Sequence, residues 1–303
     1  MSGLRRDFDH PPALGPSWLR ALGGLTKRPS GEPPVPQLRT TLQPTRPEPR
    51  ALAQYRALCG FADGRALPVT YPQVMAGPLH FHMVTDPSFP LPAAGVVHLR
   101  NLIEQRAPLA SDAALAFECA LKPAVRTHRG LEIDLETLAR QDGQVVWRSV
   151  ITFLSRGGGR SSSPREGRRA ESSPEPGVDA APSGAEVVAR SVVWCVPEDT
   201  GRRYARIAGD FNPIHQHAVA ARLFGFKRAI VHGMYTLARA AAECADDLPG
   251  APFTLECAFK RPVFLPSTVL FEARRPPQGD AALTFEVRSG DTRCVEGRAS
   301  VGV

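Results

Sequence analysis

The chain has 303 residues, of which 43% are hydrophobic and 22% are charged. This is ordinary globular usage, and it excludes a wholly disordered or fibrous protein. At roughly 150 residues per domain, the length predicts two domains. The net charge of +7 would attract an anionic partner, without choosing among a nucleotide-bearing thioester, an acidic carrier protein and nucleic acid.

Several classes of protein are disfavoured by the same composition. No apolar stretch approaches the roughly 20 residues that a membrane-spanning helix needs, and the first 17 residues hold prolines and acids where a signal peptide would be apolar. The six cysteines are scattered without a C-x-x-C pair, so neither a disulfide framework nor a structural zinc cage is indicated. The arginines form no basic helix face interleaved with aromatic residues, which argues against nucleic-acid binding. We therefore expect a cytoplasmic protein with no membrane span and no nucleic-acid partner.

Composition also divides the chain into four parts. Residues 1–50 are rich in proline and predict a mostly irregular arm. Residues 157–185 consist mainly of Gly, Ser and Pro and cannot bury enough apolar surface to offset their ordering entropy, so we predict a flexible linker. The two predicted domains are therefore residues 51–156 and 186–303.

The hydrophobic pattern predicts similar elements in both domains. In the first domain we expect a helix over 71–85 and strands over 96–105, 114–122, 131–139 and 145–154. In the second we expect a strand over 187–196, a short helix over 198–208, a loop over 209–216 and a long helix over 232–246. Four strands then follow, over 253–262, 268–273, 281–287 and 293–301. The order of elements predicts one α+β fold used twice.

The loop over 209–216 concentrates the residues that could carry chemistry. Gly209 and Pro213 bracket a tight turn that should leave Asp210, Asn212 and His215 close together. A carboxylate and an imidazole on one water molecule can divide general base and general acid roles, because their protonation states differ near neutral pH. Asn212 could orient either group.

A backbone amide follows at the start of the predicted long helix. Gly233 stands there, and its N–H should lack an intrahelical partner. With the helix dipole behind it, that N–H could point at a developing oxyanion. Glycine would let a ligand approach the amide closely.

These residues form a combined motif, Gly209-Asp-x-Asn-Pro-x-His215 followed by Val231-His-Gly-Met234. The motif resembles the MaoC-like dehydratase and (R)-specific enoyl-CoA hydratase 2 family. The resemblance covers roughly residues 186–303 and implies a hotdog fold, in which an antiparallel sheet wraps a long helix. Since enzymes of this family pair two hotdogs, it implies a double hotdog with one catalytic and one degenerate half.

The resemblance also implies an activity and its residues. It assigns Asp210 and His215 as the catalytic pair, Asn212 as their positioning partner and Gly233 as the oxyanion amide. The implied reaction is reversible syn addition of water to a trans-2-enoyl thioester of coenzyme A or acyl carrier protein, giving an (R)-3-hydroxyacyl thioester. It needs no cofactor and no metal. We also expect a homodimer of double hotdogs.

Four further residues are predicted to contact substrate. The pair Lys227 and Arg228, just before the predicted long helix, could bind coenzyme A phosphates or an acidic carrier, although a solvated loop face explains the pair equally well. His232 and Met234 flank Gly233. A metal site using His215, His217 and Asp210 is disfavoured, because the sequence does not supply a further ligand.

The first domain lacks the candidate catalytic residues. Tyr55–Gly60 runs parallel to Tyr204–Gly209, but Phe61 follows where Asp210 would stand, and no histidine occurs between Phe61 and His80. We therefore predict that residues 51–156 keep the shape of the fold and help to line an acyl tunnel. Two other functions remain open: a hotdog acyl-thioesterase, which would release free thiol, and a non-catalytic acyl-thioester-binding or assembly subunit.

Overall fold

The computed structural model describes residues 4–23, 36–89, 91, 96–155, 187–248, 250–276 and 282–303. The predicted linker over 157–185 lies outside the described residues. None of the helices in the described part of the chain combines the length and the apolar character needed to cross a bilayer.

Six helices and twelve strands make up the described fold. The helices are α1 Leu14–Gly23, α2 Pro49–Cys59, α3 Tyr71–Val84, α4 Thr200–Ala208, α5 Ala218–Leu223 and α6 Gly233–Glu243. The strands are β1 Leu4–Phe8, β2 Leu38–Thr45, β3 Val96–Gln105, β4 Leu115–Leu121, β5 Val125–Thr127, β6 Gly130–Gln141, β7 Gln144–Ser155, β8 Val187–Val196, β9 Phe253–Phe259, β10 Ser267–Arg275, β11 Leu283–Ser289 and β12 Thr292–Val301.

One continuous sheet joins both halves of the chain. Its strand order is β1-β2-β4-β6-β7-β3-β9-β12-β11-β10-β8, and β5 adds to β6 at the side. The order β2-β4-β6-β7-β3 in the first half is repeated, reversed in space, by β8-β10-β11-β12-β9 in the second. The halves meet where β3 and β9 pair antiparallel, with Asn101 opposite Cys257. The same five-strand unit therefore occurs twice, and the two units join edge to edge in one sheet.

The helices lie together over this sheet. In α6 the alanines Ala238, Ala240 and Ala241 are fully buried, so small side chains allow the helix to pack closely. Helix α2 of the first half contacts α4 and α6 of the second, and α3 contacts α4. At that last contact, a Cβ added at Gly77 would lie 2.9 Å from the carbonyl oxygen of Ala208. The two halves thus share one layer of helices as well as one sheet.

The prediction of a mostly irregular arm over residues 1–50 was wrong for three segments. Strand β2 occupies the outer position of the first half that β8 occupies in the second, and β1 pairs parallel with β2 at the sheet edge. Helix α1 follows β1. In β2 the side chains of Leu38, Thr40 and Leu42 are buried, with more exposed residues between them. That two-residue period is the pattern of a half-buried strand, and the proline-rich composition around it concealed it.

Two short helices were also missed. The segment Pro49–Cys59 is helical because Glu48 caps it: the two carboxylate oxygens accept hydrogen bonds from the N–H groups of Arg50 and Ala51, at 2.9 and 2.6 Å. Helix α5 follows the predicted loop, with His217 at its N-cap position. The predicted helices over 71–85, 198–208 and 232–246 and the predicted strands lie close to the observed elements.

Candidate active site

The candidate loop over residues 209–216 begins where α4 ends. Gly209 takes a left-handed φ of 74° and its N–H bonds to the carbonyl of Ala205, which closes the helix and turns the chain outward. Asp210 follows, and its Oδ1 accepts a hydrogen bond from the N–H of Asn212 at 3.1 Å. The Asn212 Oδ1 in turn accepts from the N–H of Ile214, at 3.4 Å, at the start of a 3₁₀ turn over Pro213–His215. Asn212 therefore holds the loop through its backbone and caps the turn with its side chain.

His215 is buried at the end of this turn and has a fixed ring orientation. Its Nδ1 lies 2.9 Å from the carbonyl oxygen of Ile230. Because a carbonyl oxygen can only accept, Nδ1 carries the proton, and Nε2 of the neutral ring keeps its lone pair. The backbone of His215 is positioned just as tightly, since a Cβ added at Gly201 on α4 would lie 2.0 Å from the His215 carbonyl oxygen.

His232 completes a cluster with Asp210 and His215. Its ring stacks on that of His215 with centroids 3.7 Å apart. Its Nε2 lies 2.8 Å from the backbone carbonyl oxygen of Asp210 and 3.8 Å from the carboxylate Oδ2 of the same residue. His232 stands at the N-cap position of α6 without a capping side-chain bond. Instead, its bond to the Asp210 carbonyl connects the loop over residues 209–216 to the start of that helix.

The charges in this cluster follow from burial and proximity. Burial opposes ionisation of Asp210 only in part, since 52% of its side chain is exposed, and His232, His215 and the Asn212 N–H outweigh it, so that the pKa of Asp210 lies below its usual value. Burial lowers the pKa of His215, against an opposing effect of the Asp210 carboxylate. Burial, with His215 beside it, lowers the pKa of His232 to about 3. At neutral pH the cluster thus combines a carboxylate with two neutral imidazoles.

The same three side chains offer one potential metal-ligand atom each, all within 4.8 Å of one another. Two of the four ring nitrogens, Nδ1 of His215 and Nε2 of His232, face carbonyl oxygens and therefore carry protons. The two rings are stacked, with an interplanar angle of 28°, rather than converging edge-on upon one point. A spacing under 4.8 Å suits a bridging water with a hydrogen bond to each side, so the set favours proton chemistry.

Gly233 is the first residue of α6. The carbonyl of His232 accepts hydrogen bonds from the N–H groups of Tyr235 and Thr236, and in this first turn the Gly233 N–H lies beyond the reach of the helical ladder. A Cβ added at Gly233 would lie 2.9–3.1 Å from ring atoms of Phe259 on β9. The glycine is thus needed for packing against Phe259, which the sequence could not indicate.

Two buried tyrosines that the sequence analysis did not assign support the cluster. The Tyr204 ring on α4 lies 4.9 Å from the His232 ring, and the Tyr55 ring on α2 lies 6.2 Å from Tyr204. The hydroxyl of Tyr55 shares a 2.8 Å hydrogen bond with Thr70. Burial raises the pKa of Tyr204 well above its usual value, so it stays protonated. The only clue in the sequence was that Tyr55–Gly60 and Tyr204–Gly209 run in parallel.

The remaining predicted substrate-binding residues lie at different depths. Lys227 and Arg228 are exposed on the loop before α6. The Arg228 guanidinium lies 5.6 Å from the centre of the Phe264 ring and donates to the carbonyl of Pro266 at 3.2 Å. Met234 is partly buried, and its sulfur lies 3.5 Å from the Asn101 amide nitrogen on β3. The structure thus brings Met234 to the junction of the halves and leaves the basic pair at the surface.

Comparisons with known proteins show which sequences and structures this chain is similar to. The MaoC like domain family matches residues 179–292. The 3-hydroxyacyl-thioester dehydratase X of Mycobacterium tuberculosis is 32% identical over 250 residues, covering 82% of this chain and 85% of the relative. The peroxisomal enoyl-CoA hydratase 2 of Arabidopsis thaliana is 27% identical over 197 residues, covering 61% of this chain and 62% of the plant protein.

Solved structures show the same likeness in three dimensions. The crystal structure of HtdX of Mycobacterium tuberculosis has a TM-score of 0.70 at 28% identity and covers 88% of this chain and 100% of its own. A MaoC-like dehydratase of Phytophthora capsici has a TM-score of 0.68 at 17% identity, over 88% of this chain and 95% of its own, which shows a shared fold. The predicted α+β double hotdog is confirmed.

Proposed function

Because the chain belongs to the MaoC-like dehydratase family, we propose that it is a hydro-lyase that interconverts trans-2-enoyl and (R)-3-hydroxyacyl thioesters. The substrate is an acyl thioester, and its carrier is coenzyme A or acyl carrier protein. The observation that carries the proposal is the cluster of Asp210, His215 and His232, with one oxygen and two ring nitrogens within 4.8 Å.

The geometry of Asp210 and His215 supports a proton-transfer role. The Asp210 carboxylate is held by the N–H of Asn212, and the His215 ring is held by the carbonyl of Ile230, which leaves Nε2 free to accept. A water between them loses a proton to this pair as its oxygen bonds to C3 of the enoyl group. The same proton then returns to C2 on the same face, which completes syn addition and restores the pair.

The backbone at the start of α6 has a complementary role. Adding oxygen at C3 moves electron density onto the thioester carbonyl oxygen. The N–H of Gly233 stands in the first turn of α6, where helix geometry leaves it without an intrahelical acceptor and the helix dipole favours negative charge. We assign it as the donor that stabilises this oxyanion, an interaction stronger in the transition state than in the substrate.

The first half has a structural role in this scheme. Its helix α2 ends with Gly60 at φ 80°, as α4 ends with Gly209 at φ 74°, but Phe61 takes the place of Asp210. We propose that residues 38–155, which include strand β2 and so begin before the expected boundary at residue 51, form the degenerate hotdog, that 186–303 form the catalytic one, and that the first half helps to line the acyl tunnel. A homodimer of such chains is a further proposal, and sedimentation or light scattering would test it.

Two parallel measurements, of enoyl-thioester loss and of free thiol, test the function. Loss of the enoyl-thioester absorbance is followed with short and long trans-2-enoyl groups on coenzyme A and on acyl carrier protein, and free thiol is measured in parallel. Hydration without thiol release is expected. Thiol release at the rate of enoyl loss would indicate the thioesterase alternative, and no reaction with any substrate would contradict the proposal.

A further inference from the structure

His98 lies on β3 of the first half, close to the seam where β3 and β9 join the halves. Along the β3–β7 pair, His98 faces Phe153 and Arg100 faces Thr152, so Leu99 is an extra residue in a β-bulge. The pairing of β3 with β9 runs from Arg100 opposite Ala258. A bulge bends its strand locally and redirects the side chains beside it. The bulge, and not the regular alternation of side chains along the strand, therefore sets the direction of the His98 side chain.

The direction is toward the active site of the other half. The His98 ring lies 4.7 Å from the Phe259 ring, and Phe259 is the residue whose ring atoms pack against Gly233. His98 is thus separated from the proposed oxyanion amide by one aromatic ring. His98 and Asp210 also lie within electrostatic range, since each affects the pKa of the other. A first-half side chain therefore reaches the surroundings of both the amide and the carboxylate.

One nitrogen of this ring is enclosed without a partner. The Nε2 of His98 has no solvent exposure and no hydrogen bond within the described residues. Burial lowers the pKa of His98 to about 4, against smaller opposing effects of the Arg100 backbone and Asp210, so the ring is neutral at pH 7. A buried polar atom without a partner is costly and requires an explanation. By contrast, the Nε2 of His80, another buried histidine of the first half, lies 2.7 Å from Thr137 Oγ1.

We propose that the half without the catalytic motif contributes His98 as a substrate-contacting residue, whose Nε2 binds the 3-hydroxyl of the (R)-3-hydroxyacyl thioester. This inference rests on the proposed function. A hydroxyl both donates and accepts, so it satisfies Nε2 in either tautomer, whereas a thioester carbonyl would satisfy only a protonated nitrogen. The enoyl thioester has no 3-hydroxyl, so in the hydration direction the contact forms as the attacking water becomes that hydroxyl.

This role has a kinetic signature that a purely structural role lacks. His98→Phe removes the hydrogen bond from the hydroxyacyl complex and the transition state, but not from the enoyl complex. In hydration, kcat should fall roughly tenfold, as for loss of one hydrogen bond, with KM unchanged. In dehydration, KM should rise by the same factor with kcat unchanged. The equilibrium constant requires that kcat/KM fall equally in both directions.

Two variants serve as rescue and control. His98→Gln retains a side chain that can bond a hydroxyl and should recover most of the lost kcat/KM. His80→Phe removes a buried first-half histidine whose bond is internal, so it should lower the midpoint of urea unfolding and leave both KM values unchanged.

The outcomes separate this inference from the function on which it rests. If the wild-type protein hydrates enoyl thioesters while His98→Phe and His98→Gln both keep wild-type constants in both directions, the inference is wrong and the function stands. Equal losses in the Phe and Gln variants, or a KM change for the enoyl thioester alone, would also overturn it. A wild-type protein inactive on every enoyl thioester would instead contradict the proposed function.

Discussion

Equivalent turns in the two halves share a glycine and diverge from the residue that follows it. In each half a short helix ends at a glycine with nearly the same left-handed conformation, φ 80° at Gly60 and φ 74° at Gly209. In the first half Phe61 follows and stacks on Tyr55 with ring centroids 6.1 Å apart. In the second half Asp210 follows and faces two imidazoles. The glycine sets the turn in both, and the next side chain decides whether the turn carries chemistry or packing.

One buried polar cluster in each half shows the same contrast. In the first half, Gln73, Asn101 and Ser149 bond to one another across α3, β3 and β7. In the second half, ring nitrogens of His215 and His232 bond to backbone carbonyls, and their other ring nitrogens have no hydrogen bond to the residues that the structure describes. Internal satisfaction stabilises a fold, whereas unused buried atoms are available to a ligand.

The largest expected effect comes from removing the acid or the imidazole. Asp210→Asn and His215→Ala should each lower kcat/KM for hydration by about 10²- to 10⁴-fold, because general acid-base groups contribute that much. Phe61→Ala, at the matching position of the first half, should reduce stability and leave kcat/KM near the wild-type value. Steady-state hydration kinetics and circular dichroism check both. Near wild-type rates in the folded Asp210 and His215 variants would rule out the assignment.

A smaller loss should follow when the support of His215 is disturbed. Gly201→Ala would place its Cβ 2.0 Å from the carbonyl oxygen of His215, so the 3₁₀ turn must shift. Such overpacking costs about 1–3 kcal/mol, and a displacement near 1 Å can cost about 10²-fold in rate. Gly64→Ala is the matched control, since nothing lies within 4 Å of its added Cβ. Gly201→Ala should lower both the midpoint of urea unfolding and kcat, whereas Gly64→Ala should change neither.

The pH dependence of stability should draw on both halves. Burial lowers the pKa of His80 and of His232 to about 3, and both rings are neutral in the folded protein. The unfolded chain takes up protons on these rings near pH 6.5, so the free energy of unfolding should fall as pH drops from 6.5 toward 3. Each ring contributes about 1.4 kcal/mol per pH unit within that window and nothing above it.

A variant can test how much His80 contributes to this pH dependence of the free energy of unfolding. His80→Phe should remove one histidine's share of the dependence between pH 6.5 and 5 in urea unfolding. Equal slopes in the wild type and His80→Phe would show that His80 takes up no extra proton on unfolding.

The smallest effect is expected at the surface. If Lys227 meets the phosphates of the carrier, Lys227→Ala should raise KM for enoyl-CoA a few-fold at low salt, and salt should reduce the difference because it screens exposed charges. Arg228→Ala should have a smaller effect on KM, since the guanidinium already bonds to the Pro266 carbonyl and lies over Phe264. A KM difference that does not respond to salt would exclude a charge contact.

Local patterns allowed much of the fold to be predicted. The segments that became α3, α4, α6 and most strands carry helical or alternating hydrophobic patterns long enough to identify. Strand β2 was missed because its alternation is short and surrounded by proline, and its pairing partner β4 lies more than 70 residues away in the chain. Helix α2 was missed because its hydrophobic stripe is weak and its stability comes from the Glu48 cap and from packing on α4 and α6.

The sequence alone determined the carboxylate, the imidazole and the glycine that brings them into one loop, because these residues lie within seven positions and local turn chemistry places them. Only the tertiary structure decided which ring nitrogen of His215 is free, that Phe259 requires Gly233, and that His98 of the first half packs on the same Phe259 ring. Each of these depends on atoms brought together from distant segments. Sheet pairing and helix packing, which no local pattern encodes, set those distances.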